Sequence, residues 1–264
     1  MKKYVIYTAL FGKYLSVIEI AKIKIFNNFD YVLFTDQNIT VKNWKVVKCK
    51  PMYGSPFINN RYYKFLPHRL FQNYDVSLYI DSNIILKKNP IFLLKTKLRN
   101  KAISINKHYR RKNIEDEIAV CIAKKKTNKQ KALEFYKTAI KKNFFKDKYL
   151  MTDNSIILRK HNNPKLIIFN ECLLKSYIKD ETLRDQFYSY LFNVFKIKFE
   201  PLDSLAECYV DKDTPKYKNF YFDKEFAVKN KLRKNEKNYE SFSSKIFVRF
   251  KYLYYLAYLY INKY

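Results

Sequence analysis

Val76-Ser77-Leu78-Tyr79-Ile80-Asp81-Ser82-Asn83 is an apolar run that stops on two oxygen-bearing side chains separated by one residue. Val76–Ile80 reads as a strand, short and rich in β-branched and aromatic residues. An Asp-x-Asn pair just past the C-terminal end of a strand stands at the edge of an open sheet where ligands bind. Asp81 and Asn83 offer hard oxygen ligands of the kind that suit Mn²⁺ or Mg²⁺, and Ser82 lies between them. Such an ion neutralises the diphosphate of a sugar nucleotide and stabilises the departing nucleoside diphosphate as a Lewis acid. Asp-Ser-Asn is also an ordinary turn after a strand, and the three residues alone leave both readings open.

Working outward, Tyr4–Ala9, Tyr31–Thr35 and Trp44–Lys48 are strand-like runs of the same kind. Ser16–Phe26 carries apolar residues at helical spacing and is expected as the first crossover. Asn59–Phe71 is expected to be helical, with Pro67 ending or kinking part of it. Strands alternating with helices predict an α/β fold with a mostly parallel sheet. Tyr7-Thr8-Ala9-Leu10-Phe11-Gly12 then closes the first strand and Phe34-Thr35-Asp36 the second, both along the edge that bears Asp81. In a nucleotide-binding sheet the first turn receives base and ribose, and an Asp on the second strand bonds uracil or ribose. Polar turn caps are the alternative for each. Farther on, Lys129–Lys141, Pro164–Tyr177 and Thr182–Phe195 have helical periodicity, and Ser155–Arg159 is a strand candidate. No internal repeat is visible.

Composition narrows the classes. Two glycines in 264 residues exclude the glycine-rich loops of Rossmann dehydrogenases and P-loop kinases. Cys49, Cys121, Cys172 and Cys208 are scattered without a C-x-x-C pair, which argues against a zinc site or a disulfide framework and fits a reducing cytosol. No secretory signal is recognised, and the longest uninterrupted apolar stretch, Tyr252–Ile261, is too short to span a bilayer. The expected location is therefore cytoplasmic, peripheral on the inner face of the membrane. The formal charge of +29 attracts polyanions. A nucleic-acid-binding protein is the alternative class, but the basic residues run along the whole chain without a nucleic-acid motif, so no specific nucleic acid is expected. The stretch 229–251 holds eight basic residues against Glu236 and Glu240, and the tyrosine-rich Tyr252–Tyr264 follows. That pairing is what an anchor on anionic lipid requires, and a lysine-solvated helix packed on the domain is the plainer reading. We divide the chain into a catalytic domain, 1–205, and a basic, aromatic extension, 206–264.

Taken in order, several strings resemble a glycosyltransferase-like family once known only as a domain of unknown function. Its plant members include a mucilage-related transferase and a turgor-regulating pollen protein, and its bacterial members sit among polysaccharide enzymes. The matching strings are Tyr7-Thr8-Ala9-Leu10-Phe11-Gly12-Lys13-Tyr14, Phe34-Thr35-Asp36, Trp44, Asn60-Arg61-Tyr62-Tyr63-Lys64-Phe65-Leu66-Pro67-His68 and Tyr79-Ile80-Asp81-Ser82-Asn83-Ile84. They continue with His108, Arg111, Asp116-Glu117, Ile157-Leu158-Arg159-Lys160-His161-Asn162 and Arg184-Asp185-Gln186. The resemblance covers about residues 4–200. Tyr109 stands where the family has a proline after its motif histidine, and the acidic pair is extended to Glu115-Asp116-Glu117.

The resemblance implies a GT-A (nucleotide-diphospho-sugar transferase) fold, a nucleotide-sugar donor and a glycan or lipid-linked glycan acceptor. On it, Thr8, Phe11, Gly12, Tyr14, Asp36, Arg61, Lys64, Asp81, Ser82, Arg111, Glu117 and Arg184 are expected to bind the donor. Arg61 and Lys64, one helical turn apart, suit phosphate oxygens. Asp81, Asn83 and His161 are expected metal ligands. Asp185 and Gln186 resemble the sugar-facing Asp-Gln of glycogenin-like transferases, with His108 as a third catalytic candidate. Thr182 and Asp185 equally satisfy a helix capping box.

Overall fold

The structure is a computed structural model that describes residues 3–12, 24–82, 84–86, 88–108, 113–141, 151–179, 185–202, 206–210, 215–219, 222–224 and 242–261. The expected helix Ser16–Phe26 falls mostly outside these residues, as do Tyr14, Asn83, Arg111 and Arg184. The side chains of Asp185 and Gln186 likewise lie outside the described part.

In chain order the elements are β1 (Tyr4–Leu10), β2 (Asp30–Thr35), β3 (Lys45–Lys48), α1 (Pro56–Phe65), α2 (Pro67–Leu70), β4 (Val76–Ile80), β5 (Ile84–Leu86), α3 (Ile91–Lys97), β6 (Ile103–Lys107) and α4 (Ile114–Ala123). They continue with α5 (Lys129–Lys141), β7 (Thr152–Arg159), α6 (Pro164–Lys179), α7 (Asp185–Val194), β8 (Glu200–Pro201), β9 (Ala206–Val210), β10 (Pro215–Asn219), β11 (Phe222–Lys224) and α8 (Phe242–Ile261). Proline acts as expected between α1 and α2: Pro67 is disfavoured behind a helical residue, so α1 stops at Leu66 and a short second turn restarts. Asn113 opens α4 by accepting a hydrogen bond from the Asp116 N–H at 2.9 Å, and three acids in the first turn complement the helix dipole.

The main sheet has seven strands in the order β3-β2-β1-β4-β7-β6-β8. Its pairs are parallel except around β7, which runs antiparallel to both β4 and β6. The expected mostly parallel α/β sheet is thus present. Side chains alternate between its faces. Ile6, Leu33, Leu78, Ile80, Ile156 and Leu158 face one core, which α3 completes with Leu93 and Leu94. Tyr7, Val32, Phe34, Tyr79 and Ile157 face a second core with α1, α6 and α7. Burying each such side chain contributes roughly 1.5–3 kcal/mol, so both faces hold the sheet rigid.

A second sheet, β5-β11-β10-β9, is antiparallel. It hydrogen-bonds residues 222–224 to the strand that follows Asp81. The helix α8 lies on α4, where Tyr252, Tyr255, Leu256 and Leu259 join Ile114, Ile118 and Tyr136. Among the described residues no helix is long and apolar enough to cross a membrane.

Candidate active site

β1, β2, β4 and β6 all end at one edge of the main sheet, and the antiparallel β7 begins there. The backbone N–H of Asp81 donates to the Ser155 carbonyl at 2.8 Å, and Asn106 pairs with Asp153. This edge therefore gathers Thr8, Phe11, Gly12, Asp36, Asp81, Ser82, Asn106, His108, Asp153 and Asn154.

Gly12 makes the first turn. Its φ of +69° lies in the left-handed region, and an added Cβ would meet the Pro56 ring at 3.1 Å. The Gly12 N–H donates to both oxygens of Asp36 at 3.1 Å, and Gln37 Nε2 donates to the Gly12 carbonyl at 2.6 Å. Asp36 thus clamps the turn after β1, the capping role that its place after a strand allows. Asn60 Nδ2 reaches the Ala9 carbonyl at 2.7 Å and ties α1 to the same turn.

Lys64 and Asp81 meet at the centre of the edge. Lys64 Nζ lies 3.0 Å from Asp81 Oδ1, and the Tyr79 hydroxyl donates to that same oxygen at 3.0 Å. The lysine is buried while the Asp81 side chain is 35% exposed, so the pair presents its carboxylate to solvent. The ammonium also sits 4.7 Å from the centre of the Tyr79 ring. Burial, and then the negative charge of Asp81, hold the Tyr79 hydroxyl well above its ordinary pKa, which keeps it a donor. Arg61, expected to face the same ligand as Lys64, stacks its guanidinium 4.2 Å from the centre of the Phe57 ring.

Lys64 is held from behind as well. The fully buried Arg159 donates through Nη2 to the Tyr7 hydroxyl at 2.5 Å and to the Lys64 carbonyl. The Tyr7 hydroxyl donates to that carbonyl at 3.0 Å. Burial pushes the Tyr7 hydroxyl up to about 12 although Arg159 opposes the shift, so it stays protonated.

On the far side of the edge, His108 Nε2 stands 4.0 Å from Glu117 Oε2 on α4. The His108 N–H donates to the Met151 carbonyl at 2.7 Å. Glu117 also accepts from Cys121 Sγ at 3.1 Å. Asp185 and Gln186 open α7, whose Ser189 donates to or accepts from Thr152 at the start of β7. Thr152 Oγ1 donates in turn to Asn154 Oδ1 at 3.1 Å.

His161 is not at this edge. It follows the C-terminal end of β7, and because β7 runs antiparallel that end lies beside Ser77 at the opposite edge. There its Nε2 donates to the Phe71 carbonyl at 2.9 Å, and burial followed by the Arg159 charge lowers its pKa to about 4. The expected grouping of His161 with Asp81 is thereby corrected, since the head of β7, not its tail, is the end that reaches Asp81. Asp153 and Asn154 were missed for the same reason. The available signal was an Asp-Asn pair bordering an apolar strand, as at Asp81.

Four side chains along the edge carry buried polar atoms that lack a hydrogen-bond partner among the described residues: Thr8 Oγ1, Arg61 Nε, both polar atoms of Asn106, and Ser155 Oγ. Each such atom costs roughly 1–3 kcal/mol when left unmade, which suits a place completed by a polar ligand or water. Among the described residues no three His, Cys, Asp or Glu side chains stand close enough to hold a metal ion by themselves. The donor chemistry nevertheless fits Mg²⁺ or Mn²⁺, which take one or two carboxylates and complete their shell with water and substrate phosphates.

In an open α/β sheet the carboxyl ends of the strands are the edge where ligands bind, and here that edge carries the Asp81 carboxylate and the unmet polar atoms. The chain belongs to the family of the TOD1/MUCI70, glycosyltransferase-like domain, whose model matches residues 17–224. No curated protein matches the chain in sequence. Three solved structures share part of its backbone. The apo WbbM bifunctional glycosyltransferase is 15% identical at a TM-score of 0.44, over 76% of this chain and 39% of its own. The apo glycosyltransferase GlyE of Streptococcus pneumoniae TIGR4 is 16% identical at 0.43, over 76% and 45%. Mouse xyloside xylosyltransferase 1 is 8% identical at 0.46, over 76% and 85%. This chain thus spans less than half the length of the first two, and no activity is taken from any of them.

Proposed function

We propose that this chain is a glycosyltransferase of GT-A type. It moves a sugar from a nucleotide sugar, UDP-linked in our reading, to a hydroxyl of a bacterial surface glycan such as capsule or lipopolysaccharide. The observation that carries this reading is the partly exposed Asp81 carboxylate, paired with Lys64 and bordered by the unmet polar atoms of Thr8, Arg61, Asn106 and Ser155. A ligand rich in phosphate oxygens and hydroxyls supplies the partners that these groups lack.

In this reading Asp81 and Asn83 hold Mn²⁺ or Mg²⁺ beside Ser82. When bound, the ion neutralises the diphosphate and lowers the cost of its departure. Thr8, Phe11, Gly12, Tyr14 and Asp36 frame the nucleoside. Arg61 and Lys64 oppose the charge that grows on the leaving phosphate, the kind of prearranged electrostatics that dominates many enzymes. Arg111, Glu117 and Arg184 line the sugar side. Asp185 and Gln186 face the donor sugar, and His108, beside Glu117, orients the acceptor hydroxyl. We favour retention at the anomeric centre, with Asp185 stabilising positive charge on the sugar ring. Inversion would instead require a carboxylate to take the acceptor proton. The reaction is assigned to the cytoplasm, at the inner face of the membrane.

The test is a thermal-shift series with UDP, GDP and CMP sugars, each with and without Mn²⁺. A ligand that binds the folded form alone raises Tm by mass action. One nucleotide family that raises Tm, and does so further with Mn²⁺, is the expected result. No shift with any sugar nucleotide at millimolar concentration defeats the proposal.

A further inference from the structure

The helix α8 has two unlike faces. Its inner face, Tyr252, Tyr255, Leu256 and Leu259, packs on α4 and α5. Tyr136 donates its hydroxyl to the Leu259 carbonyl at 2.9 Å, and the Tyr252 hydroxyl donates to Asp116. The outer face is Phe250, Leu253, Tyr254, Ala257 and Ile261, which recur at helical spacing as one stripe. Four of them are large and open: Phe250 is 68% exposed, Leu253 50%, Tyr254 62% and Ile261 78%. Other exposed large apolar residues, such as Met52, Phe92 and Ile168, lie on other segments of the chain. Isolated apolar residues are normal on a surface, whereas a stripe of four calls for something that covers it.

Charge decides what covers it. The helix carries Lys245, Arg249 and Lys251 and no acidic residue. The chain as a whole carries +29. A second copy would bring the same positive field against this face, so self-association is opposed by repulsion. A nucleic acid would match the charge but has no place for Leu253 and Ile261. An anionic bilayer surface matches both, since its acyl boundary accepts the stripe and its headgroups attract the bases.

We propose that the outer face of α8 docks this protein on anionic lipid, with Phe250, Leu253, Tyr254 and Ile261 entering the interface. The inner face then has a second consequence. Through α4, the docked helix is joined to Asp116 and to Glu117, which stands beside His108. The acceptor side of the candidate site is thereby held one helix away from the lipid surface, where a lipid-linked glycan presents its sugar end. This second step rests on the glycosyltransferase reading, whereas the docking itself does not.

The experiment is flotation of the full chain with vesicles of phosphatidylcholine, with and without phosphatidylglycerol. The expected result is binding to the anionic vesicles alone, weakened by salt. The triple variant Phe250→Ser/Leu253→Ser/Ile261→Ser should lose at least about tenfold in partitioning, because it removes the stripe from an outward face. Its circular dichroism and Tm should match those of the unaltered chain. A control variant, Phe92→Ser on α3, should bind as the unaltered chain does. Equal vesicle binding by the triple variant overturns the proposal. So does a dimer that the triple variant abolishes, or retention on duplex DNA with no vesicle binding. Vesicle binding without any sugar-nucleotide shift would sustain the docking and sink the transferase reading, and the reverse outcome would separate them the other way.

Discussion

The two ends of β7 hold similar residue types in opposite circumstances. At its head, Asp153 and Asn154 stand at the edge with the partly exposed Asp81 and the unmet atoms of Asn106 and Ser155. At its tail, Arg159 and His161 are fully buried and spend hydrogen bonds on backbone carbonyls, those of Lys64 and Phe71. Both ends hold buried polar atoms without a partner among the described residues, at Asn106 and Ser155 by the head and at Ser77, Arg159 and His161 by the tail, so the contrast lies in exposure: the head borders the partly exposed Asp81, whereas Arg159 and His161 are wholly buried. The difference teaches that a buried polar residue in this sheet is read by its partner. Arg159 binds the end of α1 and so acts on Asp81 at second hand, as a positioning residue behind Lys64.

The sharpest way to break this contrast is at the head. Asp81→Ala should lower transfer by about 10²–10³-fold, the scale on which loss of one well-placed charged group is felt in catalysis. Its Tm should also fall, because Asp81 accepts hydrogen bonds from the buried Lys64 and Tyr79, whereas Asp81→Asn keeps an acceptor there and should lose transfer with a Tm near the original. The measurement is initial rate with the donor identified by thermal shift, together with thermal unfolding. An active Asp81→Ala enzyme removes the head from the chemistry.

At the tail the expected signature is reversed. Arg159→Ala removes the guanidinium's hydrogen bonds to the Tyr7 hydroxyl and the Lys64 carbonyl, which keep only their bond to each other, and opens a cavity, and should cost about 3 kcal/mol of stability in urea unfolding. Its effect on kcat should appear only through displaced Lys64. A variant as stable as the original would show that the buried guanidinium holds nothing in place.

A smaller effect separates the two ends by pH. His161 has a folded pKa of about 4, below its ordinary value of 6.5, because burial and Arg159 disfavour its charged form. The unfolded chain therefore binds more protons between these values, so stability is full above pH 6.5 and falls as pH drops toward 4. The loss attributable to this residue is about 2–3 kcal/mol. His68 is lowered as well, by burial against the opposing effect of Glu171, and adds to the slope with the same sign. His161→Phe should flatten the slope of unfolding free energy against pH in that window. An unchanged slope would mean that the tail histidine does not titrate with folding.

Much of this was legible along the chain. The strands β1, β2, β3 and β4 follow from runs whose apolar and β-branched content has few other uses. Pro67 announced the break in α1, and Gly12 the turn after β1, because both residues restrict or widen backbone freedom by themselves. The helices α5, α6 and α7 followed from periodicity. By contrast, β6 and α4 escaped notice. Ile103–Lys107 is short and mixed, and the amphipathic pattern of Ile114–Ala123 is blurred by Glu115 and Glu117, which are buried rather than solvated, Glu117 beside His108.

Local composition therefore determined which segments became strands, where the first turns fell, and that a carboxylate would end the fourth strand. Only the assembled sheet decided which way β7 runs, and with it that Asp153 rather than His161 accompanies Asp81. The reason is physical: a strand's residues record which side chains are buried, but its direction is set by hydrogen bonds to neighbours that are distant in the chain. The same holds for the pairing of Lys64 with Asp81 and for the open face of α8, since each depends on which surfaces the folded neighbours leave uncovered.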